Sequence, residues 1–221
     1  MSEAPCATIQ EVQYQRYQAA LLAGDRIACT DIVQTMLDEG VSLKDMYLHV
    51  FQRALYHVGE LWENQRIPVS VEHLATAITE RLLSLVQGRL LASGGGHGKT
   101  ILIACVKQEH HRIGARMIAD YCELRGWRGY FSGANTSIAE LLEMIKARHP
   151  HLLGLSLGIY ARLPDLLTTL HAVRQAYPDL PVVIGGQAFR WGNLDVLQSY
   201  AHVSYCASVD ELEQKMELYE Q

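Results

Sequence analysis

Glu109, His111 and Gly114 lie within one short stretch, Lys107-Gln108-Glu109-His110-His111-Arg112-Ile113-Gly114, and their types suit axial coordination of a transition metal. A neutral imidazole nitrogen binds such a metal, while a carboxylate on the other ring nitrogen fixes the tautomer and raises ligand basicity. Glu109 is spaced for that supporting task. Gly114 opens a helix and, lacking a Cβ, lets a bulky group come close. A solvated loop histidine is the plainer reading, and His110 next door shows that histidines occur here without special need. Two further loops, Ser156-Leu157-Gly158 and Gly185-Gly186, are built of small residues that leave room for a ligand tail, although ordinary turn chemistry explains each alone. A second constellation is Trp62 followed, after nine residues, by Glu72-His73. Its plain reading is a core tryptophan at a helix end and a surface Glu-His pair. Gly98-Lys99-Thr100 imitates a phosphate-binding loop. That loop needs G-x-x-x-x-G-K-[ST] between a strand and a helix. Here Ser93 stands at the first glycine position and the segment precedes a strand, so a flexible linker is the better reading.

The histidine stretch follows an apolar run, Ile101–Val106, and opens an amphipathic helix. A histidine loop between strand and helix belongs at the carboxyl edge of a parallel sheet, where open α/β folds bind ligands. The pattern after residue 100 supports such a sheet. Ile101–Val106, a strand near 128–132, Leu152–Ser156, Val182–Ile184 and Val203–Cys206 alternate with helices over 112–125, 136–147, 164–176, 192–199 and 209–219. Strands alternating with helices predict a parallel sheet covered on both faces. The Ser156 and Gly185 loops then end neighbouring strands beside the histidine loop.

Before the glycine-rich run Ser93–Gly98 the chain reads as helices alone. The first spans about 7–23 and ends near Gly24; Asp25 caps a second that runs to Gly40; Ser42 caps a third with Asp45 in its first turn. Leu43, Tyr47, Val50, Ala54, Val58 and Leu61 recur at helical spacing in the third. Pro68 suits the first turn of a fourth, whose apolar stripe is read as Leu74, Ile78, Leu82 and Leu85. Short loops make these an antiparallel bundle. The expected fold is therefore α/β: a four-helix bundle cap over residues 1–93, a linker over 94–100, and a flavodoxin-like (Rossmann-type) five-stranded parallel sheet over 101–221.

Composition narrows the function. A net charge of −5 gives no support for direct nucleic-acid binding. No run approaches the ~18 apolar residues that span a bilayer, so no membrane partner is expected. The N-terminus lacks the basic and apolar regions of a secretory signal. The five scattered cysteines (Cys6, Cys29, Cys105, Cys122, Cys206) fit reduced, buried thiols, and a cytoplasmic location is expected.

Taken together, a helical cap, the Glu109-x-His111-x-x-Gly114 loop, the loop at Ser156-Leu157 and the glycine pair Gly185-Gly186 resemble the cobalamin (B12)-binding module, whose histidine loop reads D-x-H-x-x-G. The W-x9-EH motif of Trp62, Glu72 and His73 is similar to that of CarH-type adenosylcobalamin photoreceptors. The resemblance covers about residues 10 to 220 and implies cobalamin as cofactor, most naturally adenosylcobalamin. His111 is then the metal ligand below the cobalt, replacing the cofactor's own base (base-off, His-on). The displaced nucleotide tail lies by Ser156, Leu157, Gly185 and Gly186. Trp62 caps the upper face, with Glu72 and His73 near the adenosyl group. The expected activity is light-responsive signalling without catalysis, through a regulatory protein partner or light-dependent self-association. The alternative is a corrinoid carrier subunit of a cobalamin-dependent methyltransferase.

Three departures qualify this. The chain starts almost directly with the bundle, without the DNA-binding domain of CarH-type regulators, which makes it similar to free-standing AerR-like or photocobilin-like members. Photocobilin-like members imply a bilin such as biliverdin as second chromophore; Tyr14, Tyr17, Tyr47 and Tyr56 offer a pocket lining for it, though core packing is the preferred reading of that stripe. The family aspartate is Glu109, one methylene longer, which leaves its hydrogen bond to His111 open. Glu63 follows Trp62 where some CarH-type proteins have a histidine, which excludes a bis-histidine light state at that position.

Overall fold

Strand β1 (Thr100–Cys105) is apolar along its whole length and buried at every position. Such a strand is covered on both faces of a sheet. The computed structural model, which describes residues 9–91, 98–190, 192 and 194–220, places it so. The sheet is five-stranded, in the order β2-β1-β3-β4-β5, with β2 (Arg128–Phe131), β3 (Leu152–Ser156), β4 (Val182–Gly185) and β5 (Val203–Tyr205), and every pairing is parallel. Alternate side chains of a strand point to opposite faces. Accordingly Ile101, Ile103 and Cys105 pack with residues of α6 (Ile113–Leu124) and α9 (Val209–Glu220). Leu102, Ala104 and Val106 pack with residues of α7 (Ile138–Arg148) and α8 (Leu163–Ala176). The strands and helices expected after residue 100 are present with ends shifted by a residue or two, whereas the first helix, expected over about 7–23, spans Glu11–Leu22. The exception is the short helix near 192–199, which is a 3-10 turn over Leu194–Leu197.

The chain divides into two compact units, Met1–Ala92 and Ser93–Gln221. The linker run at 93–97 lies outside the described residues, as does Cys6. In the first unit α1 (Glu11–Leu22) and α2 (Arg26–Asp38) are joined at Gly24, and the Asp25 side chain accepts the Ala28 N–H as an N-cap. The Ser42 hydroxyl accepts the Asp45 N–H and starts α3 (Leu43–Asp45). That helix runs without a break through a π-helical stretch, Met46–Gln52, into α4 (Arg53–Glu63). The wider π turns bring Met46, Tyr47, Val50 and Phe51 onto one buried face.

Pro68 precedes α5 (Val69–Leu91) rather than standing in its first turn, and its carbonyl accepts the Val71 N–H. The predicted stripe of α5 is corrected as well. Leu74 and Leu85 are exposed, and the buried face is Ala75, Ile78, Thr79, Leu82, Leu83 and Val86. Thr79 fits inside because its hydroxyl donates to the Ala75 carbonyl at 2.9 Å. Tyr14, Tyr17 and Tyr47 are core residues, with Phe51 flanked by the Tyr17 and Tyr47 rings, whereas Tyr56 is exposed. Cys29, Cys105, Cys122 and Cys206 are buried and free. Among the described residues no helix is long and apolar enough to cross a membrane.

Candidate functional site

β1 ends at Cys105, and the chain turns at once: the Glu109 N–H donates to the Val106 carbonyl at 3.0 Å, with Gln108 in the left-handed region (φ 62). This turn drops the Glu109 side chain beneath the loop, where it is 1% exposed. A buried carboxylate needs compensating donors. Glu109 has them on both oxygens. Oε1 lies 2.6 Å from His111 Nδ1 and accepts the His111 backbone N–H at 2.9 Å. Oε2 accepts the N–H groups of Gly158 and Ile159, at 2.7 and 3.2 Å. The extra methylene relative to aspartate thus does not cost the bond to His111. It lets one carboxylate tie the loop after β1 to the loop after β3.

Burial pushes the Glu109 carboxyl up, but hydrogen bonds from the His111 ring, the His111 N–H and the Gly158 N–H, with the charge of His111, outweigh it and hold the group at about 2. The anion is therefore kept, and it selects the His111 tautomer with the proton on Nδ1. Nε2 becomes the ligating nitrogen, on a side chain that is 60% exposed. Beneath the loop the Cys105 thiol lies 3.9 Å from the His111 carbonyl, and burial raises that thiol to about 12. The Ser156 hydroxyl stands beside the same thiol.

The small residues divide into two kinds. Gly186 is required by the chain itself, and Gly158 is tightly packed. A Cβ on Gly158 would sit 3.2 Å from His111 Cβ and 3.3 Å from Glu109 Oε2. One on Gly186 (φ 104) would lie 2.2 Å from the Leu157 carbonyl oxygen, and Leu157 is itself fully buried. Gly114 and Gly185 are not so required. Nothing lies within 4 Å of a Cβ built on Gly114, and at Gly185 the nearest atom is the Cys206 carbonyl oxygen at 3.9 Å. These two leave open space around the histidine edge of the sheet.

In the helical unit, Trp62 sits in the last turn of α4 and is 45% exposed. That turn is closed by the Arg66 N–H on the Leu61 carbonyl and the Gln65 N–H on the Trp62 carbonyl, with Gln65 left-handed (φ 56) where glycine is usual. Glu72, in the first turn of α5, accepts from the Thr76 hydroxyl at 3.0 Å and lies 3.6 Å from His73 Nε2, whose ring is largely exposed. No hydrogen bond or ring contact joins Trp62 to Glu72 or His73 among the described residues. The structure therefore pairs Glu72 with His73 and Glu109 with His111.

Sequence reasoning missed three participants: Gln108, Asn135 and the Ile159 amide. Asn135 follows β2 in the turn Gly133-Ala134-Asn135, a composition that signals a turn but not a contact with another loop.

One imidazole with one carboxylate does not hold a bare ion, and among the described residues no cluster of three His, Cys, Asp or Glu side chains does so. The donor set fits a metal that arrives already held by a macrocycle and lacks one axial ligand. The open space at Gly114 and Gly185 fits a large planar group. Comparison with known proteins agrees. The curated relatives include the HTH-type transcriptional repressor CarH of Myxococcus xanthus, 32% identical over 174 residues, covering 78% of this chain and 56% of that protein. The repressor CarA of the same organism is 29% identical over 161 residues, covering 72% and 54%. The chain thus spans about half the length of these relatives. Among solved structures, the monomethylamine corrinoid protein of Methanosarcina barkeri aligns over 95% of this chain and 100% of its own with a TM-score of 0.78, and at 12% identity it shows a shared fold. Residues 99–214 match one B12 binding domain family and residues 13–87 match a second, and the chain belongs to the B12-binding proteins.

Proposed function

We propose that this protein is a light-responsive signalling protein that binds adenosylcobalamin through His111 and has no catalytic turnover. The observation that supports cobalamin binding through His111 is the Glu109–His111 pair at 2.6 Å on the carboxyl edge of the sheet. Bound adenosylcobalamin supplies a light-labile cobalt–carbon bond. The chain's own residues do the rest. His111 Nε2 ligates the metal in place of the cofactor's base. Glu109 holds the Nδ1 proton and the ring orientation. Ser156 and Gly185 receive the nucleotide tail, with Leu157 and Gly186, packed on one another, shaping that edge. Gly114 admits the macrocycle close to the start of α6.

Trp62, Glu72 and His73 would serve the cofactor's adenosyl group: the indole of Trp62 would offer it an apolar surface, and Glu72 and His73 would offer it polar partners. Contacts of this kind bias the protein only if they differ between the ligand states before and after light. The output is a regulatory partner or a change in self-association. Two curated relatives are transcriptional repressors by name, which favours signalling over methyl transfer.

The test is reconstitution with adenosylcobalamin in the dark, followed by green illumination, with the visible spectrum and the assembly state recorded together. An irreversible spectral change accompanied by a change in mass is expected. A spectrum and a mass that both survive illumination contradict signalling and support the carrier reading. A strong extra long-wavelength band in protein from a bilin-producing host marks a second chromophore.

A further inference from the structure

The histidine loop contains a conformation that its own sequence disfavours. Gln108 occupies the third position of the turn Val106–Glu109 with φ 62, where glycine or asparagine is normal. A left-handed residue with a Cβ is strained and persists only when its surroundings fix it. Asn135, on the loop after the adjacent strand β2, is left-handed as well (φ 52). The two residues lock one another. Asn135 Oδ1 accepts the Gln108 N–H at 2.8 Å, and the Asn135 N–H donates to the Glu109 carbonyl at 2.8 Å. The Gln108 side chain is held in turn by the Arg162 guanidinium, on the segment after β3.

Glu109 is consequently gripped from two sides. Asn135 holds its carbonyl, and Gly158 and Ile159 hold its carboxylate. With both fixed, the direction in which Glu109 presents His111 is fixed too. We propose that Asn135 is a positioning residue for the axial ligand: its side chain and main chain clamp the Gln108 turn so that His111 is held ready to ligate before any cofactor arrives. This rests on the cobalamin reading of His111, and it adds a residue that acts through Gln108 and Glu109.

Asn135→Gly is the informative variant, because glycine keeps the left-handed backbone and the N–H and deletes only the acceptor. Asn135→Asp keeps an acceptor oxygen at the same reach. Without cofactor, Asn135→Gly is expected to raise the amide hydrogen-exchange rate at Gln108 and His111 at least tenfold, with the melting temperature close to that of the parent. Loaded with cobalamin, its visible spectrum shifts toward that of His111→Ala, free imidazole reverses the shift, and Asn135→Asp resembles the parent. Parent-like exchange and spectrum in Asn135→Gly overturn the proposal. So does an unfolded Asn135→Gly, which would assign Asn135 to the fold rather than to the loop. If parent and His111→Ala have identical loaded spectra, the cobalamin reading of His111 fails, while faster exchange in unloaded Asn135→Gly still reports the clamp.

Discussion

The Glu109 carboxylate binds both nitrogens that one residue, His111, turns toward it: the ring Nδ1 at 2.6 Å and the backbone N–H at 2.9 Å, through the same oxygen. Its second oxygen takes the Gly158 N–H from another loop. The pair therefore has a structural task and a chemical one, and substitution separates them. In Glu109→Gln the amide keeps one acceptor and turns an NH2 toward an N–H donor. Leaving a buried donor unpaired costs about 1–3 kcal/mol, which denaturant unfolding at neutral pH should register. Glu109→Asp, too short to span both loops, should fall between the parent and Glu109→Gln.

Acid should act on the same group. The folded carboxyl titrates at about 2, below its ordinary 4.5, so protons favour the unfolded chain. Its contribution is complete above about pH 4.5 and is lost as the pH falls toward 2. At 1.36 kcal/mol per pH unit the loss approaches ~3 kcal/mol. Unfolding of the cofactor-free protein at pH 6, 4 and 3 should show this slope, and Glu109→Gln should flatten it.

The glycines around the site should split by cause. Gly186→Ala forces a Cβ to 2.2 Å from the Leu157 carbonyl oxygen at φ 104 and should cost at least about 2 kcal/mol of stability. Gly114→Ala meets open space in the first turn of α6 and should leave the cofactor-free protein as stable as the parent or up to about 0.5 kcal/mol more stable. On the proposed reading of the site, the same alanine should weaken cobalamin binding, because it fills space assigned there to the macrocycle. Thermal unfolding with and without cobalamin distinguishes the two glycines.

Trp62→Ala should be mild for folding and marked for ligand choice. The indole is 45% exposed, so its removal should cost about 1 kcal/mol of stability. Selectivity for adenosylcobalamin over methylcobalamin should fall by about tenfold, equivalent to ~1.4 kcal/mol. Equilibrium titration with both cobalamins checks this.

Much of this was legible in the sequence, for reasons that can be named. The strands were readable because β1 and β3 are continuous apolar runs, the mark of a sheet covered on both faces. Asp25 and Ser42 announced their helices as capping side chains. The stripe of α5 was misread because bulky Leu74 and Leu85 outweighed Ala75 and Thr79 in a hydropathy pattern, whereas packing put the small residues inside. The π turns from Met46 were invisible because the period itself changes there. At the site, the types and spacing of Glu109 and His111 were enough to suggest a ligand and its partner. The clamp from Asn135 was not readable, because it joins residues 27 positions apart through a main-chain conformation that neither residue advertises.

The most direct test of the central claim, that His111 ligates the cobalt of bound cobalamin, is electron paramagnetic resonance of the cobalt(II) form in protein carrying 15N only in its histidines. The account predicts that the triplet superhyperfine pattern of an axial 14N becomes a doublet, and that His111→Ala abolishes it. A triplet that survives the labelling would mean that the cofactor's own base remains bound, and would contradict the assignment of His111.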